Sequence, residues 1–115
     1  MPTDHSISLT LASAMTSAYR SGKEALLVTA KQGLGILPIC ETFDRAAFDT
    51  LLGQTDCRKI RIYYGMDDDL KLHCIIAAVN SDNEDLLPAD NNDFQIMEAG
   101  IRCPDECPAS SDLNS

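Results

Sequence analysis

Tryptophan is absent from this chain, and other rings are scarce: three Phe and three Tyr among 115 residues. A core of large aromatic side chains is thereby excluded, so buried surface must come from Leu, Ile, Val, Ala and Met. Long apolar runs are missing too. None approaches the roughly 20 residues that cross a bilayer as a helix. Residues 1–11 hold no Lys or Arg, and ISLTLASA is interrupted by Ser and Thr. The ASA at 12–14 mimics a leader-cleavage site, but it lacks a basic start and an uninterrupted apolar centre, and a secretory leader is rejected. The cytoplasm is the expected location.

Basic residues are nearly absent from the second half. Residues 1–66 carry seven Lys/Arg and six Asp/Glu, a sum of +1; residues 67–115 carry two and twelve, a sum of −10. Such a surface repels phosphate, whose binding depends on Lys and Arg displacing counterions. Nucleic acid and anionic membrane are excluded as expected partners, and the acidity reads as a solubility device. Histidines number two, His5 and His73. His73 and Cys74 are sequence neighbours that a strand would send to opposite faces, so nucleophilic hydrolase chemistry has little support, and Cys74 reads as a small buried hydrophobe. Carboxylate chemistry on a small molecule is permitted by the many Asp and Glu but specified by none of them.

What is present is a 44 % apolar composition, enough for one modest core. Residues 7–21 place Ile7, Leu11, Met15, Ala18 and Tyr19 on one helical stripe, with Ser8 or Thr10 as cap and Gly22 as stop. Residues 23–33 read as helix. The GLG at 33–35 fails as a dinucleotide loop, because Pro38 stands where the third glycine is needed, and it reads as a turn. ILPIC (36–40) reads as a short edge strand. FDRAAFDTLLG reads as a helix capped at Asp44, stapled by Phe43 and Phe48, with Phe48, Leu51 and Leu52 inward and Gly53 as its end. The alternation in 58–65 and 71–79 predicts a hairpin. Ile60, Ile62 and Tyr64 face the core, Lys59 and Arg61 face water, and the second strand is central and covered on both faces over its second half. Residues 80–93 form an acidic loop, 94–101 a third strand, and 103–115 a proline-stiffened tail. The expected fold is a single α+β domain over 1–115, a small antiparallel sheet of three to four strands packed against two or three helices, with 1–6 a flexible N-terminus.

Three patterns suggest sites. NSDNED offers oxygens at 80, 82 and 84 in calcium-loop order, but Asp85 replaces the required Gly and Asn91 the bidentate Glu. The DDD at 67–69 has the composition of a turn. Cys103 and Cys107, in RCPDECP, are spaced C-x-x-x-C, half of a zinc site and one residue too long for a thioredoxin-type pair. Asp105 and Glu106 would also raise the thiol pKa. Pro104 and Pro108 suit a docked structural tail whose cysteines pack or form one local disulfide. Five cysteines is an odd number, so a disulfide framework is not the first reading.

KIRIYYG, the acidic turn, LKLHCIIAAV and AGIRCPDECP…DLN together resemble a group of small uncharacterised bacterial proteins with an R-I-Y-x-G strand and a Cys-Pro-x-x-Cys-like end. The resemblance runs over roughly 43–115, and the x-x-x spacing here departs from it by one residue. It implies a recurring Cys-Pro tail and carries over no catalytic residue. Function is therefore expected to be non-enzymatic: binding of a protein partner or self-association, with no cofactor. The alternative is a metal (zinc) or redox site whose ligating thiols are Cys103 and Cys107.

Overall fold

Alternation in the hairpin sequence sets the frame on which everything else is placed. The computed structural model describes residues 5–87, 96–97, 100–103 and 107–114. Its elements are α1 (Leu9–Gly22), single 3-10 turns at Glu24–Leu26 and Thr29–Lys31, β1 (Cys40–Thr42), α2 (Arg45–Leu52), β2 (Lys59–Met66), β3 (Leu72–Val79), β4 (Ile96–Met97) and β5 (Ile101–Cys103). The fold is α+β. β2 and β3 pair antiparallel without interruption from Lys59↔Val79 to Met66↔Leu72. β4 adds to the other side of β3, giving the order β2-β3-β4, and β1 with β5 forms a separate two-stranded ladder.

The core lies where α2 crosses the end of the hairpin. Leu51 is 0 % exposed and packs with Ile76 and Ala78, ringed by Phe43, Phe48, Cys57, Ile60 and Leu86. The staple forms as its spacing predicts: the Phe43 and Phe48 rings meet edge to face, centroids 6.1 Å apart. Asp44 adopts the extended backbone of an N-cap, although its side chain makes no cap hydrogen bond. Ile76, Ala77, Ala78 and Val79 are all buried, so β3 is central and covered over its second half. Two expectations fail here. Leu52 is exposed, and so are Ile62 and Tyr64 of β2. Leu52 lies about 100° around the helix from the buried Leu51 and so points away from the sheet; for Ile62 and Tyr64 the reason is length. The eight residues of α2 span about 12 Å, whereas the eight residues of β2 span about 27 Å, so the helix covers the hairpin at Ile60 and leaves its far end bare.

The stretch 94–101 does not run as one strand. Residues 94–95 and 98–99 lie outside the described residues; Ile96–Met97 pairs with β3, while Ile101 opens β5 against β1. Gly100 stands at the changeover, pressed on β1 and the staple. A Cβ there would lie 2.6 Å from Phe43 Cε1 and 2.7 Å from Glu41 Oε2. Gly100→Ala should therefore cost about 1–3 kcal/mol. The readout is a lower urea midpoint at unchanged slope; an unchanged midpoint would show that the Phe43 ring yields freely.

The ILPIC strand is also displaced. Pro38 cannot donate to a ladder, and regular pairing starts at Cys40. Ile36 is buried, and its carbonyl accepts the Leu72 N–H at 2.8 Å. Residues 23–33 give two 3-10 turns rather than a helix, with Leu26 and Val28 exposed. Gly33 and Gly35 both take positive φ, 76° and 71°, which fits a turn and accounts for the GLG without a nucleotide.

α1 forms as predicted, with the Ser8 side chain accepting the Leu11 N–H at 3.0 Å, but it packs the other way round. No residue of α1 is buried. Ile7, Leu11 and Met15 are 57 %, 50 % and 59 % exposed. About half a turn away on the helix surface, Ser13 Oγ donates to the Asp112 carbonyl at 2.8 Å and Arg20 Nη1 to the Leu113 carbonyl at 2.6 Å. The polar side of α1 holds the C-terminal segment, and the apolar stripe faces outward. Tyr19, at the stripe's margin, is half-buried and donates to the Pro38 carbonyl at 2.6 Å.

Candidate functional site

Chemistry-bearing side chains converge on the β1/β5 ladder. Its three pairs are Cys40↔Cys103, Glu41↔Arg102 and Thr42↔Ile101. Paired residues in an antiparallel ladder project to the same face, so Cys40 shares a face with Cys103, and Glu41 with Arg102. Cys103 is in turn joined to Cys107 by a disulfide, with Cα atoms 4.6 Å apart. The two cysteines singled out in the sequence are thus brought together and bonded to each other, and in that state neither sulfur is a thiolate ligand. Cys40 stands opposite them as a free thiol. Residues 104–106, between the bonded cysteines, lie outside the described residues. Two cavities flank the site. One of about 200 Å³ is bordered by Thr42, Ile101, Cys107 and Pro108. Another, of about 360 Å³, lies between Thr16, Cys40 and the 108–114 segment.

On the Glu41 and Arg102 side, two charged side chains meet the backbone of the first half of β3. Among the described residues β4 pairs only with Ile76 and Ala77, and backbone groups at Leu72 and Cys74 find side-chain partners. Glu41 Oε1 accepts the Cys74 N–H at 2.7 Å. Arg102 Nε donates to the Leu72 carbonyl at 2.9 Å, and its Nη2 to the carbonyls of Gly35 and Ile36 at 2.7 and 3.1 Å. Arg102 is 2 % exposed. Burying a guanidinium is costly unless its N–H groups find acceptors; three carbonyls accept from Nε and Nη2, while Nη1 is buried without a hydrogen-bond partner among the described residues, and Glu41 is the cross-strand neighbour. The pair fastens the small ladder to the hairpin sheet. Cys74 lies beside it with its pKa pushed up, first by burial and then by the Glu41 carboxylate, which raises it both through its charge and by accepting a hydrogen bond from the thiol. Cys74, expected to be a small buried hydrophobe, is only partly buried.

Among the remaining sequence candidates, Asp67 and Asn80 are taken up by turns. Asp67 Oδ1 accepts the N–H groups of Asp69 and Lys71, each at 2.9 Å, and its Oδ2 meets His73 Nε2 at 2.7 Å. Asn80 Oδ1 accepts the N–H groups of Asp82 and Glu84, each at 2.9 Å. Oxygens at 67 and 80 thus close their own loops, the usual service of Asp and Asn in turns. Arg61, expected in water, instead spans to the loop, at 2.7 Å from Asp85 Oδ1 and 2.7 Å from Asn83 Oδ1, and Tyr63 donates to Asp85 Oδ2. Among the described residues no three His, Cys, Asp or Glu side chains converge as a metal site would require.

Several carboxyls are held below their usual range. The Gly33 N–H and then Lys23 do this for Glu24, the Arg58 side chain for Asp56, and the Lys71 N–H followed by His73 for Asp67. A carboxyl whose pKa falls on folding contributes stability that is complete above its ordinary value, about 4, and is lost as pH falls through the folded value. All three are solvent-facing, so each effect is small. The urea midpoint should be flat between about pH 7 and 5 and should decline below about 4; a midpoint that rises on acidification would contradict the assignment.

Arg102 and Glu41 were not legible as site residues. A single charge in a three-residue strand reads as solvent-facing, and the carbonyls that hold Arg102 come from residues 35, 36 and 72. Cys40 carried no signal of its own, since its pairing with Cys103 spans sixty-odd residues of sequence. No helix among the described residues is long and apolar enough to cross a membrane. No family model, no curated protein and no solved structure matches the chain.

Proposed function

We propose that this chain is a non-enzymatic cytoplasmic interaction domain that self-associates through the outward stripe of α1. One observation carries the reading: an amphipathic helix turns its apolar side to solvent while its polar side is engaged by the chain's own C-terminal segment. Helices in water ordinarily bury that stripe, and contiguous apolar surface left outside marks an interaction face. A second copy fits because of charge. The chain carries −9 overall, yet residues 5–19 contain no Asp, Glu, Lys or Arg. Two such faces meet without like-charge repulsion while the acidic halves stay in solvent.

Sedimentation velocity tests this. The wild-type chain should populate a species of about 25 kDa, twice the 12.5 kDa of one copy, in a concentration-dependent manner. Leu11→Glu combined with Met15→Glu should return it to 12.5 kDa with an unchanged circular dichroism spectrum, since exposed substitutions rarely cost more than about 0.5 kcal/mol. A wild-type chain that stays at 12.5 kDa up to several hundred micromolar contradicts self-association.

A further inference from the structure

We infer that Cys40, Cys103 and Cys107 form a thiol–disulfide exchange site in which Cys103 is the shared sulfur and Cys40 the resolving thiol. The three sulfurs are placed for exchange whether or not the chain self-associates. Cys103 is already bonded to Cys107. It is also the ladder partner of Cys40, and paired antiparallel residues lie with Cα atoms about 4.5–5.5 Å apart on one face. That spacing falls inside the 4.4–6.8 Å window a disulfide spans. Cys103 can therefore bond either neighbour without a shift in strand register. Exposure adds direction. Cys103 is buried, so external thiols are screened from it, whereas Cys107 is an exposed residue from which a released thiolate enters solvent. The cavities beside Cys40 and beside Cys107 leave room for both side chains to turn.

The step is an isomerisation and needs no oxidant. The Cys40 thiolate attacks Cys103 Sγ, the Cys103–Cys107 bond breaks, and a Cys40–Cys103 bond forms. Cys107 leaves as the thiolate and takes up the proton that Cys40 gave to solvent. One disulfide and one thiol are present before and after. The product ties β1 to β5 covalently and frees the segment beyond Cys103 from its crosslink. That segment is the one α1 holds through Ser13 and Arg20, so the exchange reaches the back of the helix as well. Because the attacking species is a thiolate, the rate should rise with pH.

Tryptic mapping separates the two forms. Cys40 falls in the peptide 32–45, and Cys103 and Cys107 fall together in 103–115. Purified chain with its disulfide intact is held folded and oxygen-free at pH 8, quenched in acid, alkylated and digested without reduction. The expected result is a 32–45 peptide linked to 103–115 through Cys103, with Cys107 alkylated, in chains of monomer mass, and none in Cys40→Ser. In a second arm, Cys107→Ser treated with oxidised glutathione should form the same link, with two molecules of reduced glutathione released per bond. Wild-type chains that retain only the internal 103–115 disulfide, a link through Cys107, or a link confined to covalent dimers would overturn the inference. So would a folded Cys107→Ser chain that takes up glutathione without forming the bond.

Discussion

Leu51→Ala should lower stability by about 2–5 kcal/mol, while Leu52→Ala, one residue along the same helix, should change it by no more than about 0.5 kcal/mol. The two leucines are equivalent in chemistry and in local sequence. Leu51 is 0 % exposed and packs on Ile76 and Ala78, whereas Leu52 stands in solvent. Truncating Leu51 removes apolar contact and leaves a cavity whose walls are β3 and the Phe43/Phe48 pair. These are held by the sheet and the staple and cannot close over it. A small domain has about 5–15 kcal/mol in total, so the loss is a large share. At roughly 4–8 °C per kcal/mol, melting should fall by about 10 °C or more. Equal effects at the two positions would mean that α2 is rotated from the orientation described.

Arg102→Lys should be nearly as damaging as Arg102→Met, at about 3 kcal/mol or more. Hydrogen bonds from a charged donor contribute about 1.5–3 kcal/mol each, and this one guanidinium donates to three carbonyls, of Leu72, Gly35 and Ile36, the last of which also accepts the Leu72 N–H. A lysine keeps the charge but has no planar fork, so it cannot serve carbonyls that approach from different directions. Methionine fills comparable volume and removes all three of these hydrogen bonds. Full rescue by lysine would show that charge opposite Glu41 is what matters and would displace the carbonyl account. Glu41→Gln serves as the companion measurement: it can still accept the Cys74 N–H and removes only the charge.

Much of the hairpin and of α2 was legible because their signals are local. Alternation over eight residues fixes a strand and its faces, and the Phe43–Phe48 spacing fixes a helix start. Two kinds of feature were not legible. The first is which parts of an amphipathic element find a cover: α1 has a clean apolar stripe, and nothing within residues 7–21 reveals that its opposite side is claimed by residues 112–113. The same holds for Ile62 and Tyr64, whose exposure follows from the length of a helix elsewhere in the chain. The second is long-range pairing. The stretch 94–101 looks like one strand, yet Gly100 must lie on Phe43 and Glu41, and the chain divides there between two sheets. Cys103 and Cys107 could be seen as a pair, but Cys40 could not be seen as their neighbour.

The outward face of α1 is the centre of this account, and the chain carries its own probe for it. Met15 lies on that stripe and Met66 at the end of β2, and both are exposed in the single chain. Dilute hydrogen peroxide converts accessible methionine to its sulfoxide, and the rates at the two positions can be read from one digest over a range of chain concentrations. As concentration rises, oxidation of Met15 should slow several-fold while that of Met66 stays constant. Rates at Met15 that do not depend on concentration, or protection of Met66 in its place, would contradict the assignment of α1 as the self-association face.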